Sequence, residues 1–137
     1  AAIEGLTRKD GSRPILVAVT QLTSTDEERM KKEILIDKPM EEVIMHYAKC
    51  AKKAGLDGVV CSPLEARMIH NICGVEFLTV TPGVRFADND SGDQVRITTP
   101  AKAKELGSDY IVVGRPVTQA KDPVEAYRRF VKEFIEG

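Results

Sequence analysis

Residues 55–65, GLDGVVCSPLE, contain the junction that decides the fold. Gly55 follows a long amphipathic run and is placed where a glycine ends a helix. The run 58–61 is short and apolar, as expected for a strand. Residues 62–65, Ser-Pro-Leu-Glu, match the capping box of a helix start with Pro at its first position. The stretch therefore predicts helix, strand and helix in close succession.

The same alternation continues in both directions along the chain. Three further apolar runs predict strands, at Ile15–Thr20, Phe77–Val80 and Tyr110–Val113. Polar starts and glycine stops predict the helices between and after them, in Ser24–Lys32, over Asp37–Ala54, from Ser62 to Gly74, from Thr99 to Gly107, and from Asp122 onward with an inward stripe at Val124, Tyr127, Phe130, Val131, Phe134 and Ile135. Four strands that are each followed by a helix predict a parallel sheet.

Four βα units allow two architectures. One is a small open doubly wound sheet, and the other is half of a TIM (β/α)8 barrel. The chain opens without Met, and Ala1–Leu6 is typical of the last turns of a helix. This opening favours the half barrel, so we expect an α/β fold in which residues 1–137 form a single partial domain of a longer protein.

Composition excludes several classes of function. The chain has 137 residues, 20 Lys and Arg against 21 Asp and Glu, and a net charge of −1, so a basic nucleic-acid surface is not expected. No apolar run approaches the roughly 20 residues that span a bilayer, and no secretory signal opens the chain. These features predict a cytoplasmic protein that binds neither nucleic acid nor membrane.

The cysteines predict no metal or disulfide chemistry. Cys50, Cys61 and Cys73 are odd in number and lack a CxxC spacing, which argues against a disulfide framework or a zinc site. We expect small buried side chains in a reducing compartment. Nothing local supports a nucleophilic cysteine paired with His46 or His70, and both histidines are expected at the surface or in helix packing.

Two arginines follow the third and fourth strands at the edge where active sites of parallel α/β proteins lie. Arg85 comes after Gly83, and Arg115 comes after Gly114. Arginine matches phosphate geometry bidentately, and glycine lets the backbone approach a ligand closely. The pair therefore predicts an anion site, and in barrels the loops after the last two strands are its usual place.

Two further polar residues can complete this site. Thr23 follows the first strand, and Gln94 lies in the long polar loop Val84–Ile97, so both can contact an amide or a ring edge. The loop is long enough to act as a closing lid. Its acidic stretch, 88–93, lacks the spacing and terminal Glu of an EF-hand, so no metal site is predicted.

Five blocks in chain order resemble the family of orotidine 5′-phosphate decarboxylases, most closely its bacterial form. The blocks are Leu16–Ser24 (LVAVTQLTS), Asp57–Ser62 (DGVVCS), Thr81–Arg85 (TPGVR), Gly92–Arg96 (GDQVR) and Val113–Pro116 (VGRP). The resemblance implies a homodimeric TIM-barrel enzyme that removes CO₂ from orotidine 5′-phosphate to give UMP, without a metal or organic cofactor. It also implies substrate-binding roles for six residues: Arg85, Gly114 and Arg115 at the phosphate, Gln94 between phosphate and pyrimidine, and Thr23 and Pro82 at the pyrimidine.

The chain departs from the family in its catalytic motif. The family carries its catalytic Lys and Asp residues in a D-x-K-x-x-D motif at the end of its third strand, and Asp37-Lys38-Pro39 is only a local imitation. The resemblance therefore assigns this chain to the C-terminal half of the barrel, with no catalytic residue of its own. We expect it to lack decarboxylase activity alone. Because a half barrel has open sheet edges, we also expect it to associate with the missing N-terminal half or with a second copy.

Three other interpretations compete with this one. A related phosphate-binding barrel decarboxylase or synthase acting on sugar phosphates would share the fold and the phosphate contacts, but it is not expected to carry Gly92-Asp93-Gln94. A catalytically silent half-barrel fragment or scaffold would need no substrate at all. A flavodoxin-like binding module is disfavoured, since no Gly-rich loop follows the first strand.

Overall fold

The computed structural model describes residues 1–87 and 98–137, which form one four-stranded parallel sheet with helices on one of its faces. The strands are β1 (Val17–Val19), β2 (Gly58–Val60), β3 (Leu78–Thr81) and β4 (Tyr110–Ile111), in the spatial order β1-β2-β3-β4. The helices are α1 (Ala2–Leu6), α2 (Glu27–Glu33), α3 (Met40–Lys53), α4 (Ala66–Cys73), α5 (Pro100–Glu105), α6 (Arg115–Thr118) and α7 (Pro123–Val131), with a 3₁₀ turn at Pro63–Glu65 and a π-helical turn at Lys132–Glu136. The predicted α/β class and parallel sheet are confirmed.

The predicted helix starts hold, with one correction. Ser62 and Glu65 form the reciprocal capping box, in which the Ser62 N–H donates to Glu65 Oε2 at 2.9 Å. Asp26, Thr99 and Asp122 cap α2, α5 and α7 through their side chains. The long helix α3, however, starts at Met40 and not at Asp37. Pro39 explains the difference, because the residue before a proline is pushed out of the helical region.

Two apolar clusters pack on the helical side of the sheet. The first joins α3 and α4 to β2 around Ile44, Val59 and Ile69, each of which has no exposed surface. The second lies under α5 and α7 and contains Val84, Phe86, Ala103, Phe130 and Phe134. Phe86 of the second cluster directly follows Arg85, one of the two arginines that the sequence predicts to bind an anion.

The predicted inward stripe of α7 is only partly correct. Phe130 and Phe134 are buried, whereas Val124, Tyr127 and Ile135 are 60%, 57% and 63% exposed. Helices cover one side of the sheet, and Tyr127 and Ile135 flank a groove along β4 in which the described chain places no neighbour. Their exposure is therefore a property of the open sheet edge, which periodicity alone does not reveal.

The other side of the sheet is an apolar face that the described residues leave uncovered. Val19, Val60, Val80 and Tyr110 are aligned across the four strands by the register, so their side chains share one face. Val19 and Tyr110 are 55% and 53% exposed. We call these four residues the inner face. It is bounded by β1 and β4, which have a neighbouring strand on one side only within the described part of the chain.

An aspartate before β2 fastens the amino end of the sheet. Asp57 pairs with the Arg13 guanidinium through two hydrogen bonds of 2.5 and 2.8 Å, and its Oδ2 accepts from the Leu16 N–H at 2.7 Å. Arg13 and this backbone bond together lower the pKa of Asp57 from 3.8 to about 2. The carboxylate thus ties the start of β1 to the start of β2.

A second aspartate repeats this arrangement before β4. Asp109 Oδ2 accepts from the Thr79 N–H at 2.7 Å and from the Thr79 hydroxyl at 2.9 Å, so it ties the start of β4 to β3. His70 Nε2 lies 3.0 Å from the same oxygen. His70 is therefore a packing residue of α4, as expected, and does not face the carboxyl ends of the strands. His46 is exposed on α3.

Replacing Asp57 by Asn is expected to destabilise the fold by about 1–2 kcal/mol near neutral pH. A pKa lowered from 3.8 to about 2 corresponds to about 2.4 kcal/mol at most, and the 30% exposure of the Asp57 side chain reduces this value. Because the folded state holds the pKa below its unfolded value, the stabilisation is complete above about pH 5 and is lost as the pH falls toward about 2. Urea unfolding of the wild type and Asp57→Asn between pH 2 and pH 7 measures this.

The matched control is Asp37→Asn, which removes an exposed carboxylate that pairs with Lys31 at 2.8 Å. We expect its unfolding free energy to change by less than about 0.5 kcal/mol. Equal stability of Asp57→Asn and wild type at pH 7 would contradict the prediction, as would a difference that does not shrink in acid.

Candidate anion-binding site

Arg85 and Arg115 line one cleft of about 460 Å³ at the carboxyl ends of β3 and β4. Arg85 follows Thr81, the last residue of β3, at the same spacing as Arg115 follows Ile111, the last residue of β4. Neighbouring parallel strands end at the same edge of a sheet, so equal spacing brings the two side chains together. The structure thus joins the two arginines that the sequence singled out.

The backbone holds Arg85 firmly in place. Its N–H donates to the Thr98 carbonyl at 3.0 Å, and the Thr98 N–H donates to the Gly83 carbonyl at 3.2 Å. These bonds extend the sheet beyond β3 through a parallel bridge between Val84 and Thr98. Gly83 has φ +80°, a left-handed conformation that glycine adopts without strain and that turns the chain into this extension.

The Arg85 guanidinium group carries an unsatisfied donor. Its side chain is only 9% exposed, and its buried Nε has no hydrogen-bond partner among residues 1–87 and 98–137. Buried donors are nearly always paired, since an unpaired one costs about 1–3 kcal/mol or more when it is charged. Arg85 lines the cleft, so an anion bound there could accept hydrogen bonds from its guanidinium group. Among the described residues, the guanidinium therefore has donor capacity that no protein group uses.

Gly114 and Arg115 begin α6. The Gly114 carbonyl accepts from the N–H groups of Val117 and Thr118 at 2.9 and 3.0 Å, which closes the first turn of the helix. A side chain placed on Gly114 would meet nothing within 4 Å, so the backbone there is open to an approaching ligand. Arg115 is exposed and faces the same cleft.

A third arginine, which sequence analysis did not single out, also lines the cleft. Arg129 lies on α7, with its Cζ 3.9 Å from the centroid of the Phe86 ring. Asp122 and Glu125 are the acidic residues of the lining, and Asp122 is engaged in capping α7. Three arginines against two carboxylates leave the lining with a net positive charge. The sequence signal that could have pointed to Arg129 is its position next to Phe130, a residue of the predicted apolar stripe of the last helix.

The remaining predicted site residues lie elsewhere or outside the description. Thr23 is 5% exposed and follows β1, and Pro82 is half-buried after β3, but neither lines this cleft. Gln94 and the acidic stretch 88–93 lie outside the described residues, so their roles and the lid stay predictions. Within residues 1–87 and 98–137 there is no cluster of metal-ligating side chains, and no helix long and apolar enough to span a membrane.

The prediction of uniformly buried cysteines is wrong for one of the three. Cys61 and Cys73 are buried, and burial raises the pKa of the Cys73 thiol. Cys50 is exposed on α3, with its Sγ 3.6 Å from His46 Nε2, because the helix turns Ala48 and Ala51 toward the core instead. This pair is remote from the cleft.

Comparisons with a family model and with curated proteins indicate the same family. A model described as "Orotidine 5′-phosphate decarboxylase / HUMPS family" matches residues 1–130. The orotidine 5′-phosphate decarboxylase of Bacillus cereus (strain AH820) is 59% identical over an alignment of 140 residues, which covers the whole chain but 58% of that protein. The chain thus spans little more than half the length of the curated relatives that it matches.

Solved structures agree with this comparison. The orotidine 5′-phosphate decarboxylase from Lactobacillus acidophilus matches with a TM-score of 0.79 and 45% identity, over 98% of this chain and 56% of that one. An uncharacterized conserved protein from Geobacillus kaustophilus matches with a TM-score of 0.77 and 47% identity, over 97% and 56%. The four βα units are therefore those of a partial TIM (β/α)8 barrel, as predicted.

Proposed function

Since the chain belongs to the orotidine 5′-phosphate decarboxylase / HUMPS family, we propose that it forms the phosphate- and pyrimidine-binding half of an enzyme that converts orotidine 5′-phosphate to UMP and CO₂. The observation that carries the proposal is that Arg85 and Arg115 line one cleft, and that the buried Arg85 Nε has no partner among the described residues. Two guanidinium groups with one unsatisfied donor match a phosphate dianion better than they match a neutral ligand.

The proposed roles of the individual residues follow the strand order. Arg115 and the Gly114 backbone bind phosphate oxygens, and Arg85 binds the same group from β3. Pro82 and Thr23, at the ends of β3 and β1, contact the pyrimidine. Gln94 connects the two parts of the nucleotide from its loop. This division places phosphate recognition at one end of the carboxyl edge and base recognition along the rest of it.

Phosphate binding of this kind contributes to catalysis from a distance. Interactions with a non-reacting part of a substrate provide free energy for orientation and desolvation at the reacting carbon. The proton that replaces CO₂ has to come from an acid held against that carbon, and the family's Lys and Asp motif for this step is absent from the chain. The role that we propose for this half is therefore binding and positioning, without a metal or organic cofactor.

The proposed partner is the set of four βα units that would complete the barrel. The inner face exposes Val19 and Tyr110, and β1 and β4 offer unpaired edges to further strands. A groove along β4, lined by Tyr127, Val131 and Phe134, offers an apolar surface beside that edge. Closing an eight-stranded barrel would cover all of these features at once. The completed enzyme is proposed to be a cytoplasmic homodimer.

Calorimetric titration of the 137-residue chain tests the phosphate site. We expect UMP to bind at least about 10-fold more tightly than uridine, because charge-assisted hydrogen bonds to phosphate contribute about 1.5–3 kcal/mol each. A pentulose 5-phosphate serves as the control for a sugar-phosphate enzyme, and UMP should bind more tightly. Incubation with orotidine 5′-phosphate should yield no UMP. Equal affinity for UMP and uridine would refute the phosphate site, and UMP formation by the chain alone would refute the assignment of the proton donor.

A further inference from the structure

Arg129 is held in position by two neighbours that differ in chemistry. Its Cζ lies 3.9 Å from the centroid of the Phe86 ring, well within the distance at which a guanidinium is attracted to an aromatic face. Its Nε donates to Glu133 Oε1 at 2.8 Å, one helical turn further along the chain. A long surface side chain that is fixed by a ring and a carboxylate presents its guanidinium to the cleft in a restricted orientation.

Phe86 connects this arrangement to the anion site. Phe86 is 5% exposed, and its ring centroid lies 4.1 Å from that of Phe130 at an interplanar angle of 32°. It directly follows Arg85, whose N–H is fixed by the Thr98 carbonyl at 3.0 Å. The backbone that carries Arg85 is thus fixed by the bond to Thr98 on one side and by the packed ring of Phe86 on the other.

The three arginines of the cleft thus differ in how they are placed. Arg85 comes from the extension of β3 and Arg115 from the start of α6, whereas Arg129 comes from α7 and reaches the cleft over Phe86. If Arg129 served only the helix, its bond to Glu133 would be an ordinary i, i+4 pair, which stabilises a helix only slightly. That role would not require contact with the residue next to Arg85.

We propose that Arg129 is a positioning residue of the anion site, which orients Arg85 by holding Phe86 and adds a third guanidinium to the cleft that receives the phosphate. The proposal rests on the proposed function, since it takes the nucleotide phosphate as the anion. Its effect should be confined to ligands that carry the phosphate group.

The test uses the 137-residue chain with Arg129→Ala, Arg129→Lys and the control Arg128→Ala. Arg128 is the exposed preceding residue on α7 and does not line the cleft, so its loss removes the same charge without the contact to Phe86. Calorimetry with UMP, inorganic phosphate and uridine gives three affinities for each variant. We expect Arg129→Ala to weaken UMP and phosphate binding about 5- to 20-fold and to leave uridine unchanged.

Three variants separate positioning from charge. Arg129→Lys should recover part of the loss, because an ammonium can lie over the Phe86 ring but lacks the planar fork of arginine. Phe86→Leu should weaken UMP binding as well, and the double variant Phe86→Leu/Arg129→Ala should lose less than the sum of the two single variants. The midpoint of urea unfolding, measured on each variant, shows whether the fold is kept.

The outcomes distinguish this inference from the proposed function. If wild type binds UMP more tightly than uridine while Arg129→Ala behaves like Arg128→Ala, the positioning role is wrong and the phosphate site stands. A loss of uridine affinity equal to the loss of UMP affinity also overturns it, because that pattern reports a general change of the fold. If wild type binds UMP and uridine equally, the proposed function fails, and the positioning role fails with it.

Discussion

Arg115→Ala is expected to weaken UMP binding by the 137-residue chain about 10- to 100-fold while leaving uridine binding unchanged. Arg115 lines the cleft from the first turn of α6, and it is the more exposed of the two arginines that we predict to bind phosphate. Loss of a charge-assisted, bidentate contact costs about 1.5–3 kcal/mol, which corresponds to this range. Arg115→Lys should fall between alanine and wild type, since lysine keeps the charge but not the fork.

Arg85→Met provides the companion measurement. Arg85 is 9% exposed and its Nε has no partner within residues 1–87 and 98–137, so we expect little competition from water for a contact with an anion. Methionine fills much of the same volume without a donor, so UMP affinity should fall at least as far as in Arg115→Ala while the fold becomes no less stable. Arg8→Ala, in the exposed segment before β1, is the control for a lost charge. UMP affinities that are equal in Arg8→Ala, Arg115→Ala and Arg85→Met would disprove the predicted phosphate contacts.

Gly58→Ala is expected to destabilise the chain by about 3 kcal/mol or more. A Cβ built on Gly58 would lie 2.2 Å from the Leu78 carbonyl oxygen and 2.7 Å from Leu78 Cβ, closer than such atoms approach in folded proteins. Gly58 is paired with Val17 on one side and Leu78 on the other, so the backbone of β2 cannot move away without breaking one of these pairings. Extra atoms in a packed interior cost about 1–3 kcal/mol, and a clash with backbone lies at the upper end of that range.

Gly5→Ala is the matched control, because a side chain at Gly5 would meet nothing within 4 Å. Gly5 lies within α1, where alanine is favoured over glycine by about 0.5–1 kcal/mol, so this variant should be slightly more stable than wild type. Urea unfolding of both variants gives the comparison. Gly58→Ala with wild-type stability would show that the β2–β3 spacing is less constrained than the structure indicates.

Local signals predicted the elements that local chemistry determines. The capping box at Ser62 and Glu65, the glycine stop at Gly74 and the cap at Asp122 all involve groups within a few residues of one another. That Arg85 and Arg115 lie together was predictable for a related reason. The position of each arginine is set by its distance in sequence from the end of a strand. Because β3 and β4 pair in parallel, equal distances bring the two side chains to the same edge of the sheet.

Features that depend on tertiary contact were not predictable in this way. The Arg129–Phe86 contact joins residues far apart in the chain, and nothing in either segment signals the other. Tyr127 and Ile135 are exposed because no described segment packs beside the open edge of the sheet. The apolar stripe in the sequence is the same whether or not such a neighbour is present. The aspartate ties at Asp57 and Asp109 likewise require knowledge of which strand lies alongside.

The two aspartate ties also give the two ends of the sheet different roles, because the amino end sets the strand register and the carboxyl end carries the cleft. Each carboxylate accepts the N–H at the start of the preceding strand, so Asp57 aligns β1 with β2 and Asp109 aligns β3 with β4 before either pair reaches its carboxyl end. A slip of one residue in either pair would break the tie of that pair and turn the inner-face side chains of the slipped strand toward the helices. The loops at the carboxyl ends of the strands therefore do not have to set the strand register. New ligand specificities could be grafted onto those loops, by evolution or by an engineer, while the frame beneath them stays intact.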